Sequence, residues 1–587
     1  MKLERRHYEI LPAYGTGGPD LWCTYAALRT LRWLESSCDI DFARQTEEYL
    51  HSRRNSDGGY GWSRGMQSDA WATFYATQGI RDLGREIPNI QRTTDWIRTT
   101  WTSEAYGMLP GQRPDVWATH FSTRTSVEVC NELPPNISAL CKWLGALQTV
   151  DGGLSWSPEH ARFGQADARA CFYGVMAWKA VKSKVDVPPP WDIPKLVRWL
   201  QSLQRPVGGY IFNEKSSVPC MWATYRATAT LAALGAPEKA PMADSACIKW
   251  VMHQRGRKGA FVRWSGYPIE DVWASFCAVG TLNALNKYSV LHESRPFIKS
   301  ALLTMRCHSG GFTYRETTQA ADVLSTAAHI LCHSSDKPSV APLIDWIESC
   351  QLPNEAGVMY MPGRGAEVRC TLWALVAGAF HRPGLSQIPQ LRHLLEWLLA
   401  LQNPDGGFGY WEGRGSDMVS TAAAVEIMSL IGHQPEASSI LEFVESCQQL
   451  GDDGEATYAN VPRGRTSLRA GLQGYRISHY VNGHAERDSL QKLMARHRTR
   501  GGGYDNSGSR VPDLLTTYEA VVTADRFGLD LDLAPLRTFT ERILFPDGTA
   551  SWTPLAPPGH DALAHCLGKL LQRRLHGDGR PMPALSL

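Results

Sequence analysis

The stretch LRHLLEWLLALQNPDGGFGYW, residues 391–411, contains most of the unit from which the chain is built. Its first half places apolar residues at i, i+3, i+4 and i+7, which is the spacing of a helix with one buried face. The two glycines then supply positive φ where the chain leaves the helix. The stretch DMVSTAAAVEIMSL from Asp417 begins with an acid and is rich in small residues, which predicts a second helix packed on both sides. One unit is therefore an outer helix, a glycine-aromatic turn and an inner helix.

Turns of glycine followed by an aromatic residue recur along the chain at intervals of roughly 50 residues. The clearest copies are DGGYGW from Asp57, DGGLSW from Asp151, GGYIF from Gly208, GGFTY from Gly310, DGGFGYW from Asp405 and GGYDN from Gly502. Weaker copies lie between them. A fixed period in this range indicates a stacked or closed array of supersecondary units.

The predicted inner helices begin at twelve residues, ten of which are acidic. They are Asp20, Asp69, Asp115, Asp167, Cys220, Asp271, Asp322, Glu367, Asp417, Thr466, Asp513 and Asp561. An acid at this position caps free N–H groups and interacts favourably with the helix dipole, which stabilises a helix by roughly 0.5–2 kcal/mol. Capping therefore explains each of these acids without any catalytic role.

The two halves of the chain differ two positions after these starts. The first six repeats carry Trp22, Trp71, Trp117, Arg169, Trp222 and Trp273. The last six have aliphatic residues or arginine there. Twelve helix pairs divided six and six predict an all-α fold of two closed (α/α)6 barrels, because the inner helices are too apolar to line a solvated concave face. We expect the first barrel at 1–290, the second at 291–575 and a flexible tail at 576–587. An open solenoid is the competing architecture.

Composition limits the class of partner. A formal charge of +2 in 587 residues argues against nucleic-acid binding, which needs a concentrated basic face. The charged stretch MKLERRHYEI is unlike a signal peptide, and the longest apolar run, TLWALVAGAF, is too short for a membrane span. The 14 scattered cysteines suggest reduced thiols, so we expect a cytoplasmic protein. A peripheral contact with a membrane and the oligomeric state are left open.

The order of outer helix, glutamine, glycine-aromatic turn and tryptophan, seen at 148–156 and 402–411, resembles the repeat of squalene-hopene and oxidosqualene cyclases. The same α/α-barrel repeat occurs in class II diterpene cyclases and in the β subunits of protein prenyltransferases. Over residues 10–575, two six-pair barrels resemble the two-barrel body of the class II terpene cyclases. The repeat is specific for the fold and unspecific for the activity.

The residues meet only part of what this resemblance implies about catalysis. In those cyclases an Asp-x-Asp-Asp-Thr-Ala motif begins an inner helix of the second barrel, and its central aspartate protonates an alkene or epoxide. The best match here is DVLSTA from Asp322, in which Leu324 replaces the central acid and Ser325 the last one. DMVSTA from Asp417 has the same form, and Glu316 offers a second carboxylate near Asp322. The candidate catalytic residues in this degenerate motif are Asp322, Asp417 and Glu316.

Two sets of residues are candidates for the walls of a ligand cavity. Indole faces bind positive charge, so the tryptophans of the first barrel could stabilise a cation, although large aromatic residues at a repeat position equally fill a core. The second barrel has smaller inner residues and is the favoured place for a cavity. The candidate substrate-binding residues are Trp71, Trp117, Trp222, Trp273, Thr326 and Thr421.

Three functions are compatible with these residues. The first is a terpene-cyclase-like protein that binds or cyclises an isoprenoid or another long apolar substrate with a non-standard acid; as an enzyme it would be an isomerase. The second is a catalytically inactive scaffold that recognises a protein partner, and the third is a lipid carrier. With no Asp-Asp-x-x-Asp cluster and no convincing third zinc ligand, the sequence predicts neither a metal site nor a cofactor. An apolar void of ~300–1,000 Å³ would favour a ligand, and a filled barrel would favour a scaffold.

Overall fold

The computed structural model describes residues 17–587 apart from eight short gaps. The gaps are 37–38, 64–65, 236–240, 334–336, 382–390, 452–455, 484–485 and 578–579. The regular secondary structure of the described residues is almost entirely helical, with two short antiparallel ribbons. These pair β1 (Phe261–Val262) with β2 (Glu270–Asp271), and β3 (Gln448–Leu450) with β4 (Ala456–Tyr458). Within the described part of the chain, every helix is too short or too polar to cross a membrane.

The first half of the chain forms a closed ring of helices. In chain order these are α1 (Leu21–Trp33), α2 (Ile40–His51), α3 (Ala70–Asp82), α4 (Ile90–Thr99), α5 (Val116–Arg124), α6 (Ile137–Gly145), α7 (Pro158–Arg162), α8 (Ala168–Lys182), α9 (Ile193–Ser202), α10 (Met221–Ala233), α11 (Pro241–His253), α12 (Val272–Ala284) and α13 (Tyr288–Leu303). The inner helices are α1, α3, α5, α8, α10 and α12, and each contacts the next. Because α1 also contacts α12, the ring is closed.

The second half repeats this arrangement. Its helices are α14 (Val323–Cys332), α15 (Lys337–Ser349), α16 (Val368–His381), α17 (Leu391–Ala400), α18 (Met418–Leu430), α19 (Ala437–Ser446), α20 (Leu468–Asn482), α21 (Arg487–His497), α22 (Leu514–Phe527), α23 (Leu533–Ile543) and α24 (Ala562–Leu575). The even-numbered helices from α14 to α24 are the inner ones, and α14 closes the ring against α24. The predicted pair of (α/α)6 barrels is confirmed. The cap of α20 is Ser467, one residue after the predicted start Thr466.

Each repeat is held together by the same three local contacts, which α3 illustrates. Asp69 caps the helix by accepting a 2.8 Å hydrogen bond from a backbone N–H in its first turn. One turn further on, the Thr73 hydroxyl oxygen accepts a 3.0 Å bond from the N–H of Tyr60 in the preceding turn. Gly58 has φ +94°, and a Cβ there would lie 2.4 Å from the carbonyl oxygen of Arg92 on α4. Glycine is therefore required where the turn touches the next outer helix.

The ring boundary lies later in the chain than predicted. Gly310, in the turn after α13, packs so closely on α2 that a Cβ would lie 2.3 Å from the carbonyl oxygen of Gln45. Phe312 in the same turn accepts a 3.0 Å hydrogen bond from the N–H of Asp20 at the start of α1. The first ring therefore uses α13 and its turn to reach α1. The predicted boundary at residue 290 moves to the segment between Tyr314 and Asp322.

The end of the chain is packed inside the second ring, which corrects the predicted flexible tail at 576–587. Tyr518 on α22 donates a 2.7 Å hydrogen bond to the carbonyl of Pro583. Trp373 on α16 donates a 2.9 Å bond to the carbonyl of Ser586. Leu585 between them is fully buried. Residues 582–587 thus occupy the interior of the ring.

The two rings meet at the amino-terminal ends of inner helices. Trp411, in the turn before α18, inserts its indole into the first ring, with its ring centroid 4.8 Å from that of Trp71. Gln112 donates a 2.9 Å hydrogen bond to the carbonyl of Gly415, and Asp115 accepts a 3.2 Å bond from the N–H of the same glycine. The contact between the rings therefore combines an aromatic centre with a polar rim.

Candidate functional site

Asp322 is a buried helix cap. One carboxylate oxygen accepts a 2.8 Å hydrogen bond from the N–H of Ser325, and the other accepts a 2.9 Å bond from its hydroxyl. Burial raises the pKa of Asp322 to about 6, and the charge of Asp561 adds to this rise. The two hydrogen bonds from Ser325 act in the opposite direction and lower the pKa. Ser325, at the place of the motif's last acid, therefore completes the cap.

The other two catalytic candidates have different surroundings. Asp417 repeats the cap of Asp322, with bonds of 2.8 Å from both the N–H and the hydroxyl of Ser420, and burial raises its pKa. Glu316 forms ion pairs with Lys258 and Arg315. Partial burial acts to raise the pKa of Glu316, but the ion pair with Lys258 brings it below the usual range. Among the described residues, no hydrogen bond joins any of the three acids to another.

The predicted tryptophans form a solid plug at the end of the first ring that faces the second. The plug consists of Trp22, Trp71, Trp117, Trp222, Trp273 and Trp411, all of which are buried. The ring centroids of Trp22 and Trp273 are 4.0 Å apart, and Trp117 donates a 3.1 Å hydrogen bond from Nε1 to the carbonyl of Glu412. Sequence reasoning missed Trp22 and Trp411 as members. The packing favours the interpretation of these residues as core.

Thr326 and Thr421 belong to the repeat scaffold. Their hydroxyls donate bonds of 2.7 and 2.8 Å to the carbonyls of their capping aspartates, Asp322 and Asp417. The Thr421 hydroxyl oxygen also accepts a 2.9 Å bond from the N–H of Phe408 in the preceding turn. These bonds fix the turn to the helix and explain the threonines without a ligand.

A cavity of about 420 Å³ opens inside the first ring, on the side of the plug away from the second ring. Each inner helix contributes at least one aromatic side chain to its wall, and we call a set of six of these, one from each helix, the aromatic belt. The belt consists of Tyr25, Phe74, Phe121, Phe172, Tyr225 and Phe276. Beyond the belt, the small residues Ala229 on α10 and Gly280 on α12 also line the cavity. The volume falls in the range of small-molecule sites.

A signal for this cavity is present in the sequence. The fifth residue after each inner-helix start is aromatic or histidine throughout the first ring. These residues are Tyr25, Phe74, His120, Phe172, Tyr225 and Phe276. In the second ring the same positions are mostly small or aliphatic, as at Ala327 and Ala422. The prediction of a cavity wall relied on the tryptophans two residues after each start and did not use the fifth position.

The charged groups among the described residues that line the cavity are basic. Arg29 pairs with Asp82 at 2.7 Å and Arg124 pairs with Glu128 at 2.6 Å, while no carboxylate is part of the lining itself. His120 also lines it. Burial, together with the nearby arginine charges, lowers the pKa of His120 well below its usual range, so its imidazole is neutral at neutral pH.

Arg226 lies at the inner end of the cavity, one turn beyond the plug on α10. The side chain is enclosed by aromatic faces, with Cζ 4.1 Å from the ring centroid of Phe172 and 5.3 Å from that of Tyr225. One terminal nitrogen donates a 3.3 Å hydrogen bond to the hydroxyl of Tyr173. Nε is buried and has no hydrogen-bond partner among the described residues. The guanidinium therefore fills the place that a bound cation would take in an aromatic cage.

A second charged cluster connects the rings. Arg169 takes the place of tryptophan in the fourth repeat and pairs with Asp167 at 2.9 Å, Glu355 at 3.6 Å and Glu412 at 2.5 Å. Burial raises the pKa of Glu412, against the attraction of Arg169. This network fixes the orientation of the rings. Across the described residues, no group of three or more His, Cys, Asp or Glu side chains has the arrangement of a metal site.

Comparison with known proteins gives a family and a set of similar folds. The chain matches the model of the prenyltransferase alpha-alpha toroid domain at residues 3–102, 66–189, 188–322 and 317–460. No curated protein matches it significantly.

Three solved structures illustrate the similar folds. Protein geranylgeranyltransferase-I from Candida albicans, in complex with GGPP, is 12% identical over 48% of this chain and 90% of its own (TM-score 0.39). The type II terpene cyclase MstE from Scytonema is 15% identical over 48% and 88% (TM-score 0.34). The ent-copalyl diphosphate synthase from Streptomyces platensis is 13% identical over 96% and 95% (TM-score 0.38).

Proposed function

The chain belongs to the prenyltransferase alpha-alpha toroid family, and from this membership we propose that it binds an isoprenoid or a similar apolar ligand in the cavity of its first ring. The observation that carries the proposal is the aromatic belt, in which every inner helix gives one ring to the wall of a cavity of about 420 Å³. Aromatic faces pack well against unsaturated hydrocarbon and bury much apolar area. The proposal moves the ligand from the second ring, which the sequence favoured, to the first.

Binding is better supported than cyclisation at this place. Protonation of an alkene needs a strong acid, and the lining of the cavity contains no carboxyl group. A carbocation formed within the belt would also lie near the charge of Arg226. At ~6 Å and an effective dielectric constant of ~20, two unit positive charges repel by roughly 3 kcal/mol. Cyclisation initiated by Asp322 stays a separate prediction.

The test is ligand binding to the full chain, followed by native mass spectrometry with farnesol and with squalene as probes. We expect a complex with at least one of these probes. Ala229→Phe, which adds bulk to the lining of the cavity, should abolish it. Ala534→Phe, the same substitution on the exposed face of α23, should leave it unchanged. Both variants are first checked for unaltered thermal unfolding.

Two results would count against the proposal. The first is a folded wild-type chain that binds neither probe, which would favour the alternative prediction of a scaffold for a protein partner. The second is an Ala229→Phe variant that unfolds like the wild type and still binds, which would remove the ligand from the first ring.

A further inference from the structure

Several buried arginines elsewhere in this protein pair with carboxylates. Arg169 pairs with Asp167 at 2.9 Å, and Arg476 pairs with Glu519 at 3.0 Å. Arg226 is buried to the same degree, with 4% of its surface exposed, yet no carboxylate among the described residues lies within ion-pair distance of it. It lines the cavity of the first ring.

Arg263 and Arg414 also lack a carboxylate partner among the described residues, but their positions explain this. Arg263 donates hydrogen bonds to the carbonyl of Arg364 and to the sulfur of Met359 across the contact between the rings. The guanidinium of Arg414 lies over Trp71 of the plug. Neither side chain lines the first-ring cavity.

The charge of Arg226 is not neutralised by its neighbours. Removing an ion from water costs more free energy than contacts with aromatic faces return. His120 is neutral, and the carboxylates nearest the cavity, Asp82 and Glu128, already pair with Arg29 and Arg124. One positive charge with no carboxylate partner among the described residues therefore remains at the inner end of the cavity.

We infer that Arg226 anchors an oxyanion subsite, so that the ligand is an apolar molecule with a carboxylate or phosphate group. The inference rests on the proposed function, because it assigns a charge to the ligand of that cavity. A guanidinium binds such groups through a planar fork of N–H donors, and Arg226 has donors to spare. The hydrocarbon part lies against the aromatic belt and along Ala229, one turn further along α10 toward the mouth.

Titration calorimetry with three matched probes tests the subsite. Farnesoic acid, farnesyl phosphate and farnesol share one hydrocarbon and differ in their head group. We expect either acid to bind the full-length chain at least about tenfold more tightly than farnesol. The acid that binds more tightly identifies the oxyanion.

Variants of Arg226 assign the preference to this side chain. Arg226→Gln should reduce the preference for the acids to less than about threefold while the affinity for farnesol stays similar. Arg226→Lys keeps the charge but loses the planar fork of N–H donors, so it should retain part of the preference for the acids. This variant replaces Arg226→Gln in the test if the Gln variant does not fold. Lys195→Gln, which removes a charge from the exposed surface of α9 away from the cavity, is the control and should retain the whole preference.

The outcomes separate the subsite from the proposed function. Equal affinity of the wild type for all three probes overturns the subsite but leaves the cavity as a ligand site. An undiminished preference for the acids in folded variants of Arg226 overturns it as well. Failure of the wild type to bind any probe contradicts the proposed function itself.

Discussion

The two rings share one repeat, with the same caps, turns and threonine bonds, yet their interiors differ. In the first ring, six aromatic side chains form a belt and leave a cavity of about 420 Å³ beyond it. In the second, small residues such as Ala327 and Ala422 leave room that residues 582–587 fill. The ring whose inner side chains are small is therefore not the ring that contains the cavity. The space inside a ring depends on what enters it as well as on the residues that line it.

The largest expected effect comes from breaking the contact between the rings. Trp411 is buried among tryptophans of the first ring, so Trp411→Ala should cost about 3–5 kcal/mol, the range for removal of a large core side chain. Urea unfolding followed by circular dichroism measures the loss, and we expect the two rings to unfold in separate transitions. Trp101→Ala, a change at a half-buried tryptophan away from this contact, should cost less. A loss below 1 kcal/mol would contradict the role of the plug.

The packed end of the chain gives the next largest effect. Leu585 is fully buried in the second ring, and Leu585→Ala should cost about 2–4 kcal/mol. The same change at Leu587, which is half-buried, should cost clearly less. Ligand binding in the first ring should not change in either variant. Equal and negligible losses at both positions would mean that the tail does not fill the second ring.

The threonine bonds predict equal behaviour of the two rings. Thr421→Val in the second ring and Thr73→Val in the first each leave a buried N–H unpaired, that of Phe408 or of Tyr60. We expect each to cost about 1–3 kcal/mol in chemical denaturation. If only the Thr73 variant is destabilised, Thr421 has a role other than the scaffold bond.

The smallest effect concerns pH and the predicted catalytic acid. Burial raises the pKa of both Asp322 in the second ring and Asp271 in the first to about 6, above the ordinary value of 3.8. The folded state therefore holds these protons more tightly than the unfolded state, and each carboxyl lowers stability as pH rises through this range. Between pH 5 and pH 8 the loss is about 1–2 kcal/mol per group.

Asp322→Asn and Asp271→Asn should each remove this share of the pH dependence, measured as unfolding free energy at the two pH values. Asp39→Asn is the control of opposite sign, because a hydrogen bond from the N–H of Phe42 and the charge of Arg306 lower the pKa of that exposed carboxyl. A different response of Asp322 from that of Asp271 would show that Asp322 is more than a cap.

Sequence reasoning predicted the architecture because the repeat is local. The acid that begins each inner helix and the glycine in each turn act within a few residues. Their pattern therefore predicts the helices and the closure of each ring. The predicted boundary at residue 290 was wrong because ring closure joins Gly310 to α2, which is a contact between distant parts of the chain. The prediction of a flexible tail was wrong for the same reason, since Leu585 is buried by helices that precede it in the chain.

The candidate site was predicted less well than the fold. The resemblance directed attention to Asp322 and to the second ring, whereas the cavity lies in the first. Five of the six residues of its aromatic belt lie at the fifth position of their inner helices, and the sixth, Phe121, follows His120 at that position. Arg226 could not be singled out, because its lack of a carboxylate partner is a property of the packed ring and not of its neighbours in sequence.

Photo-crosslinking tests the central claim most directly. A farnesyl probe that carries a diazirine on its hydrocarbon is bound to the full chain and irradiated, and the labelled peptides are identified by mass spectrometry. We predict labels on α10 and α12, around Ala229 and Phe276, and their loss when farnesoic acid competes. Labels on α18 and α22 of the second ring, with none on α10 or α12, would contradict the account.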